Sequence, residues 1–311
     1  MRVLVLGGCG FIGSHLVDAL LALNLNVRVF DRGPEKYRAP LDDVDYVFAD
    51  FRDINRLYEA LVDVDVVVHL ISATVPTTAA LDTQADVGGN LLPSLALFEA
   101  MLKLSVRRIV YASSGGTVYG APEIVPTPEI HPLRPINSYG IVKVAIESYL
   151  AMYARAHGLE ATIIRPSNPY GPRQGHTGVQ GVVATFMNQV LNDETIHVWG
   201  DGSVVRDYVY VEDLASLFAA AVVSGASGVF NGGSGIGVSI NDVIAGIGTV
   251  TGQRLRVTYQ PSRSIDVPRS ILDVGAAKRH LGWEPKVTFP EGLERTWRWM
   301  SHFDTMVSHT R

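Results

Sequence analysis

The chain has 311 residues, of which 47% are hydrophobic and 18% charged, with a formal net charge of -5. This is the composition of a globular protein with one large or two smaller domains around a sizeable core, and its mild acidity argues against nucleic acid or an anionic membrane surface as partner. A single cysteine, Cys9, excludes an intramolecular disulfide. The histidines lack metal-ligand spacing, no apolar run is long enough to span a bilayer, and the glycine-broken N-terminus reads as a buried strand rather than a leader; the expectation is a cytoplasmic protein without a metal ion.

Short apolar runs alternate with helical periodicity. Residues 2–6 predict a strand that ends in glycines, and residues 11–23 a helix. Residues 27–30 form a second predicted strand ending at Asp31, residues 45–48 a third, and residues 55–61 a helix. A nearly all-apolar fourth strand is expected over 64–70, a long helix over 91–104, a fifth strand over 108–112, a helix over 139–156 and a sixth strand over 161–165. Strands that read as continuous Val, Ile and Leu are buried on both faces, as in a parallel sheet covered by helices. The alternation therefore predicts an α/β, doubly wound fold. After Arg165, glycine and proline become frequent, with helices predicted at 182–191 and 211–223. Residues 1–165 are expected to bind a nucleotide, with later segments returning to that domain, and residues 166–311 to form mainly a smaller C-terminal substrate lobe.

The stretch GGCGFIG places Gly7, Gly10 and Gly13 between the first strand and the first helix, with Phe11 and Ile12 opening the helix. A turn without Cβ atoms lets a pyrophosphate approach the backbone, where helix N–H groups hold it. The second strand ends in Asp31, at the distance where an acid accepts hydrogen bonds from ribose hydroxyls and repels a 2′-phosphate. NAD is therefore expected over NADP, with the adjacent Arg32 softening the preference. Asp50 and Phe51 follow the third strand, where an adenine would lie, and Leu70, Ile71 and Ser72 end the fourth strand at the same sheet edge.

Tyr139 and Lys143, in SYGIVK, share one face of a predicted helix. A neighbouring ammonium and a cationic nicotinamide favour the phenolate, which can take a sugar hydroxyl proton while hydride leaves for NAD. His69 reads as a structural histidine at the end of an apolar strand, and Trp283 as packing in the C-terminal lobe.

With SSGGTVYG, RPSNPYGPRQ, VWGDGSVVRDYVYVEDLA and LGWEP following in order, the chain resembles the extended short-chain dehydrogenase/reductases, specifically the nucleotide-sugar epimerases and dehydratases, over nearly its whole length. The resemblance implies a Rossmann domain and a UDP-sugar substrate, with a place in polysaccharide supply. It assigns Asn90, Ser113 and Pro166, beside Tyr139 and Lys143, to the cofactor side. It assigns Thr74, Asn168, Val183, Arg206, Arg263 and Ser270 to the substrate side. Arginines suit a diphosphate because guanidinium donors are planar and bidentate; the competing role for Arg206 is an ion pair with Asp207 or Asp213. A Ser at position 270 should leave room for an N-acetyl group. The resemblance also implies a homodimer built through a four-helix interface.

One departure stands out. The resemblance places a sugar-binding hydroxyl where this chain has Gly115, followed by Gly116. Losing such a hydrogen bond costs about ten- to a thousandfold in rate. Ser114 could reach the gap if Gly-Gly adopts unusual backbone angles, water or Thr117 could substitute, or the chain could bind nucleotide without redox chemistry. The catalytic set is thus read as Tyr139 and Lys143 with Ser114 and Thr117. The dehydratases of this family carry an acid pair where Gly116-Thr117 stands, so dehydration is disfavoured. NAD-dependent C4 epimerisation of a UDP-hexose or UDP-N-acetylhexosamine, through a 4-keto intermediate, needs the fewest added groups. The alternatives are a UDP-hexuronic acid 4-epimerase or decarboxylase, with Arg173 and His176 as candidate cations, a nucleotide-sugar 4-ketoreductase, and a catalytically silent nucleotide-binding protein.

Overall fold

The computed structural model describes residues 1–74, 76–175, 181–262 and 267–308. The chain runs β1 (Arg2–Leu6), α1 (Phe11–Ala22), β2 (Asn26–Asp31), β3 (Val44–Phe48), α2 (Ile54–Ala60), β4 (Val66–His69), α3 (Pro76–Ala79) and α4 (Thr83–Asp86). A π-helical turn, Val87–Leu91, leads into α5 (Leu92–Lys103). Then come β5 (Arg108–Ala112), α6 (Ser138–His157), β6 (Glu160–Pro166), β7 (Asn168–Tyr170), α7 (Val182–Leu191), β8 (Ile196–Trp199), β9 (Val205–Tyr210) and α8 (Val211–Ser224). The chain continues with β10 (Gly228–Gly232), β11 (Gly237–Ser239), α9 (Ile240–Thr251), β12 (Val257–Gln260), β13 (Arg269–Ser270), α10 (Gly275–Leu281) and α11 (Phe289–Ser308).

Seven strands form one parallel sheet in the order β10-β6-β5-β4-β1-β2-β3. Alternation along each strand explains the two layers of helices. Val3 and Val5 join the cluster under α1 and α8, whereas Leu4 and Leu6 face the cluster under α2, α5 and α6. The order reverses direction between β1 and β4, and a doubly wound sheet opens its ligand crevice at such a switch point. Residues beyond 166 return to this unit: β10 extends the sheet beside β6, and α8 packs against α1.

The smaller lobe pairs β11, β13 and β7 around β9, with a separate β8–β12 ribbon. Its own core collects α7, α9 and α11 around Met187, Ile247 and Leu293. Trp283 corrects the expectation that it packs in this lobe. It belongs to the sheet-side cluster under α8, where its indole N–H donates to the Asp213 carbonyl at 3.0 Å. Among the described residues no helix is long and apolar enough to cross a membrane, and no cluster of side chains could hold a metal ion.

Candidate active site

The glycine turn after β1 is shaped by contacts that admit no side chain. Gly7 has φ +84°, and a Cβ at Gly13 would stand 2.0 Å from the Gly7 carbonyl oxygen. Gly10 caps α1 with extended backbone, and Phe11 and Ile12 open the helix. The Asp31 carboxylate accepts from the Cys9 N–H at 3.0 Å and the Arg32 N–H at 2.7 Å. It thereby ties the turn to the end of β2, and a carboxylate keeps further lone pairs for ribose hydroxyls. Burial raises its pKa, and those backbone donors oppose the rise.

A cavity of about 590 Å³ runs from this turn along the sheet edge; its walls include Gly7, Gly10, Asp31, Arg32, Asp50 and Phe51, then Leu70, Ile71, Ser72 and Thr74, and finally Gly88 and Gly89 of the π-helical turn. The Phe51 side chain is buried with its ring centre 5.1 Å from that of His69 in a tilted arrangement, so that position offers a ligand its backbone. Asp50 is held in an ion pair with Arg52 at 2.8 Å, which pulls its pKa down. The Asn90 side chain closes the far wall: its oxygen accepts from the Ala73 N–H at 2.7 Å, and its amide donates to the Thr74 hydroxyl at 2.9 Å. This cradle, open to backbone approach and flanked by an acid at the ribose position, fits a dinucleotide such as NAD.

Tyr139 and Lys143, the expected catalytic pair, are reached from the cavity through Ser72, which lines it and bonds Tyr139. Asn137 caps α6 by accepting from the Gly140 N–H at 2.8 Å. A Cβ at Gly140 would lie 2.8 Å from the Thr117 carbonyl oxygen, so the helix start presses against the SSGGT loop. Lys143 is buried; its ammonium donates to the Ala112 carbonyl at 2.8 Å and lies 5.5 Å from the centre of the Tyr139 ring. Burial lowers the Lys143 pKa to about 8. Burial raises the Tyr139 pKa, opposed by a hydrogen bond from Ser72 and reinforced by the charge of Asp86. Burial thus works against the phenolate that the ammonium and a cationic nicotinamide are expected to favour.

Gly115 has a packing reason. A Cβ there would meet Leu272 Cδ1 at 2.6 Å and the Arg165 carbonyl at 3.0 Å, while its N–H donates to the Pro166 carbonyl at 2.8 Å. Neither Gly115 nor Gly116 adopts positive φ, which removes the expected backbone route for Ser114 to reach inward. Instead the Ser114 carbonyl accepts from the N–H groups of Thr117 and Val118, a tight turn that brings Thr117 round to the start of α6. The Thr117 hydroxyl oxygen is buried and lacks a hydrogen-bond partner. The Ser113 hydroxyl donates to Glu147, which is clamped by Arg165 at 2.6 Å, a structural engagement of the side chain. His69 is only half satisfied, with Nε2 2.9 Å from the Ser94 hydroxyl and Nδ1 buried without a partner.

On the substrate side, Asn168 in β7 donates to the Asp207 carbonyl at 2.8 Å. Arg206 donates to the Val267 carbonyl at 2.6 Å and stands in register with Ser270 of β13. Asp207 accepts from Ser234 and Leu272, and Asp213 from the Lys286 and Val287 N–H groups. Val183 is corrected from substrate contact to core, since its side chain is 1% exposed among the lobe's apolar residues. Arg263 and His176 lie outside the described residues. Arg173 pairs with Asp18 at 2.8 Å, so its charge is already matched.

Two features escaped the sequence reading. Asp86, at the end of α4, is fully buried and bonds to Thr74, Asn90 and Ser138. A second cavity, of about 860 Å³, is lined by Trp199, Ser203, Val204, Tyr259 and Pro268, next to the strand that carries Arg206. Its signal was present in the exposed aromatic of VWGDGS.

These features agree with the comparisons. Residues 3–233 match the model of the NAD dependent epimerase/dehydratase family. The UDP-glucose 4-epimerase of Mycolicibacterium smegmatis is 37% identical, over 95% of this chain and 97% of the relative. The crystal structure of the Thermotoga maritima UDP-glucose 4-epimerase with UDP-glucose superposes with a TM-score of 0.92 at 36% identity, covering 97% of this chain and 99% of that one. The Thermus thermophilus UDP-glucose 4-epimerase, in complex with NAD, gives a TM-score of 0.90 at 37% identity, with the same coverage. The chain belongs to the NAD-dependent epimerase/dehydratase family.

Proposed function

We propose that this enzyme epimerises C4 of a UDP-hexose or UDP-N-acetylhexosamine through a 4-keto sugar, as a cytoplasmic homodimer. The observation that carries the reading is the meeting of Tyr139, Lys143 and the unpartnered Thr117 hydroxyl around the start of α6, at the end of a dinucleotide-shaped crevice. When bound, NAD supplies reversible hydride exchange with C4. Tyr139 takes the C4 hydroxyl proton and gives it back. Thr117 hydrogen-bonds the same oxygen, filling the role left by Gly115. Asn168 and Arg206 hold the diphosphate, and the cavity beside Trp199 and Tyr259 takes the base. Gly116-Thr117 offers no acid for dehydration, the matched charge of Arg173 weakens the uronate reading, and Asp31 weighs against an NADPH-dependent reductase.

The test is to incubate the protein with UDP-glucose, UDP-N-acetylglucosamine and their uronic acids, without reductant, and to separate the products. A C4 epimer of one of the first two is expected. Thr117→Val should lower its rate roughly ten- to a thousandfold, with Thr117→Ser retaining most of it. No epimer from any of them, with NAD bound, overturns the reading. Ser270→Tyr should lower activity on the N-acetylated sugar more than on the plain one; equal losses would remove Ser270 as the residue that makes room.

A further inference from the structure

Asp86 has no side-chain exposure to offer solvent, yet it sits where three site segments meet. Its Oδ1 accepts from the Thr74 hydroxyl at 2.6 Å and the Asn90 amide at 2.9 Å, and its Oδ2 from the Ser138 hydroxyl at 2.6 Å. These donors come from the loop after β4, the π-helical turn and the first residue of α6. A π-helical insertion costs regular hydrogen bonding and recurs at functional sites; here it lets Asp86 and Asn90 turn inward together. A buried carboxylate is costly unless donors satisfy it, and these do so on both oxygens.

The groups facing the catalytic pair decide what that charge does. On α6, Lys143 lies beneath Tyr139, and Glu147 is matched by Arg165 of β6. From β5, Tyr111 lies 5.0 Å from the Lys143 ammonium; from β4, His69 is held neutral by burial, and Ser72 bonds the Tyr139 phenol. On α5, Glu99 faces Tyr153 and Lys103 covers Tyr58, both away from the pair. Among the described residues, Asp86 is the carboxylate toward Tyr139 and Lys143 that no guanidinium neutralises.

We propose that Asp86 is a positioning residue for the catalytic pair: through Ser138 it anchors the first turn of α6, and its charge sets the field in which Tyr139 releases and recovers a proton. Lys143 and a cationic cofactor lower the Tyr139 pKa, whereas burial and the Asp86 charge raise it and so keep the phenolate basic enough to draw a proton from a sugar hydroxyl. Asp86 adds to the basicity that burial gives. The inference rests on Tyr139 as the proton carrier.

The test follows the tyrosinate absorbance of the full chain against pH, with Tyr139→Phe as the blank. Asp86→Asn should move the Tyr139 midpoint down by about one pH unit, the scale of a lost neighbouring charge. Ser138→Ala keeps the charge, so its midpoint should stay while kcat falls and KM changes little. An unmoved midpoint in Asp86→Asn overturns the proposal. Should Asp86→Asn fail to fold, Ser138→Ala decides alone, and a wild-type kcat there overturns it. The titration needs no turnover, so a wild-type protein that converts no UDP-sugar would strike the proposed function while leaving the midpoint shift to be read.

Discussion

At the scale of single residues, the chain shows how a missing catalytic hydroxyl can be a consequence of packing. Leu272 occupies the space that a side chain on residue 115 would need, and it is itself pinned by its N–H to Asp207. Gly115→Ser should therefore overpack the site, at about 1–3 kcal/mol, and lower activity rather than restore the family pattern. Gly115→Ser combined with Leu272→Ala should recover part of both losses. Melting temperature and turnover of the two variants check this; a single variant as stable and active as wild type would show that Leu272 yields freely. The glycine was visible in the sequence, but its reason was not, because Leu272 comes from a distant segment that only folding brings across.

At the scale of elements, α1 carries more than the nucleotide turn. His15 Nε2 is 2.9 Å from the Pro172 carbonyl, and burial lowers its pKa to about 4. This contact fastens the first helix to the loop that follows β7. The folded pKa lies below the unfolded value, so the unfolded chain binds more protons between pH ~6.5 and ~4, and stability falls as pH drops through that window. The cost approaches about 3 kcal/mol at the acid end, from the size of the shift. Denaturation measured across that window should show a steeper acid loss for wild type than for His15→Gln; equal slopes would mean that His15 titrates alike in both states. The π-helical turn is the element least legible beforehand. The periodicity of residues 91–104 gave α5, whereas the turn before it depends on Asp86 and Asn90 finding partners in the loop after β4 and on α6.

At the scale of the whole molecule, α5 and α6 leave apolar residues facing outward: Leu92 at 59% exposure, Ile141 at 55% and Met152 at 40%, with Tyr149 beside them. Paired with a second copy, these helices would make the proposed four-helix interface, and burying that surface is the driving force. Sedimentation at micromolar concentration should give a dimer, and Ile141→Asp with Met152→Asp should give a monomer. A wild-type protein that stays monomeric would remove the interface.

The sequence by itself determined the doubly wound sheet, because continuous Val, Ile and Leu runs must be buried on both faces, and short helical crossovers then make neighbours parallel. It also determined the glycine turn, Asp31 and the Tyr139–Lys143 pair, since each follows from local backbone freedom, strand length or helical spacing. Only the tertiary structure showed what surrounds Ser113, Val183 and Thr117, joined Asp86 to Thr74, Asn90 and Ser138, and opened a cavity beside Trp199. Those depend on which distant side chains fill the neighbouring space and which buried polar atoms find partners, and neither is written in local periodicity.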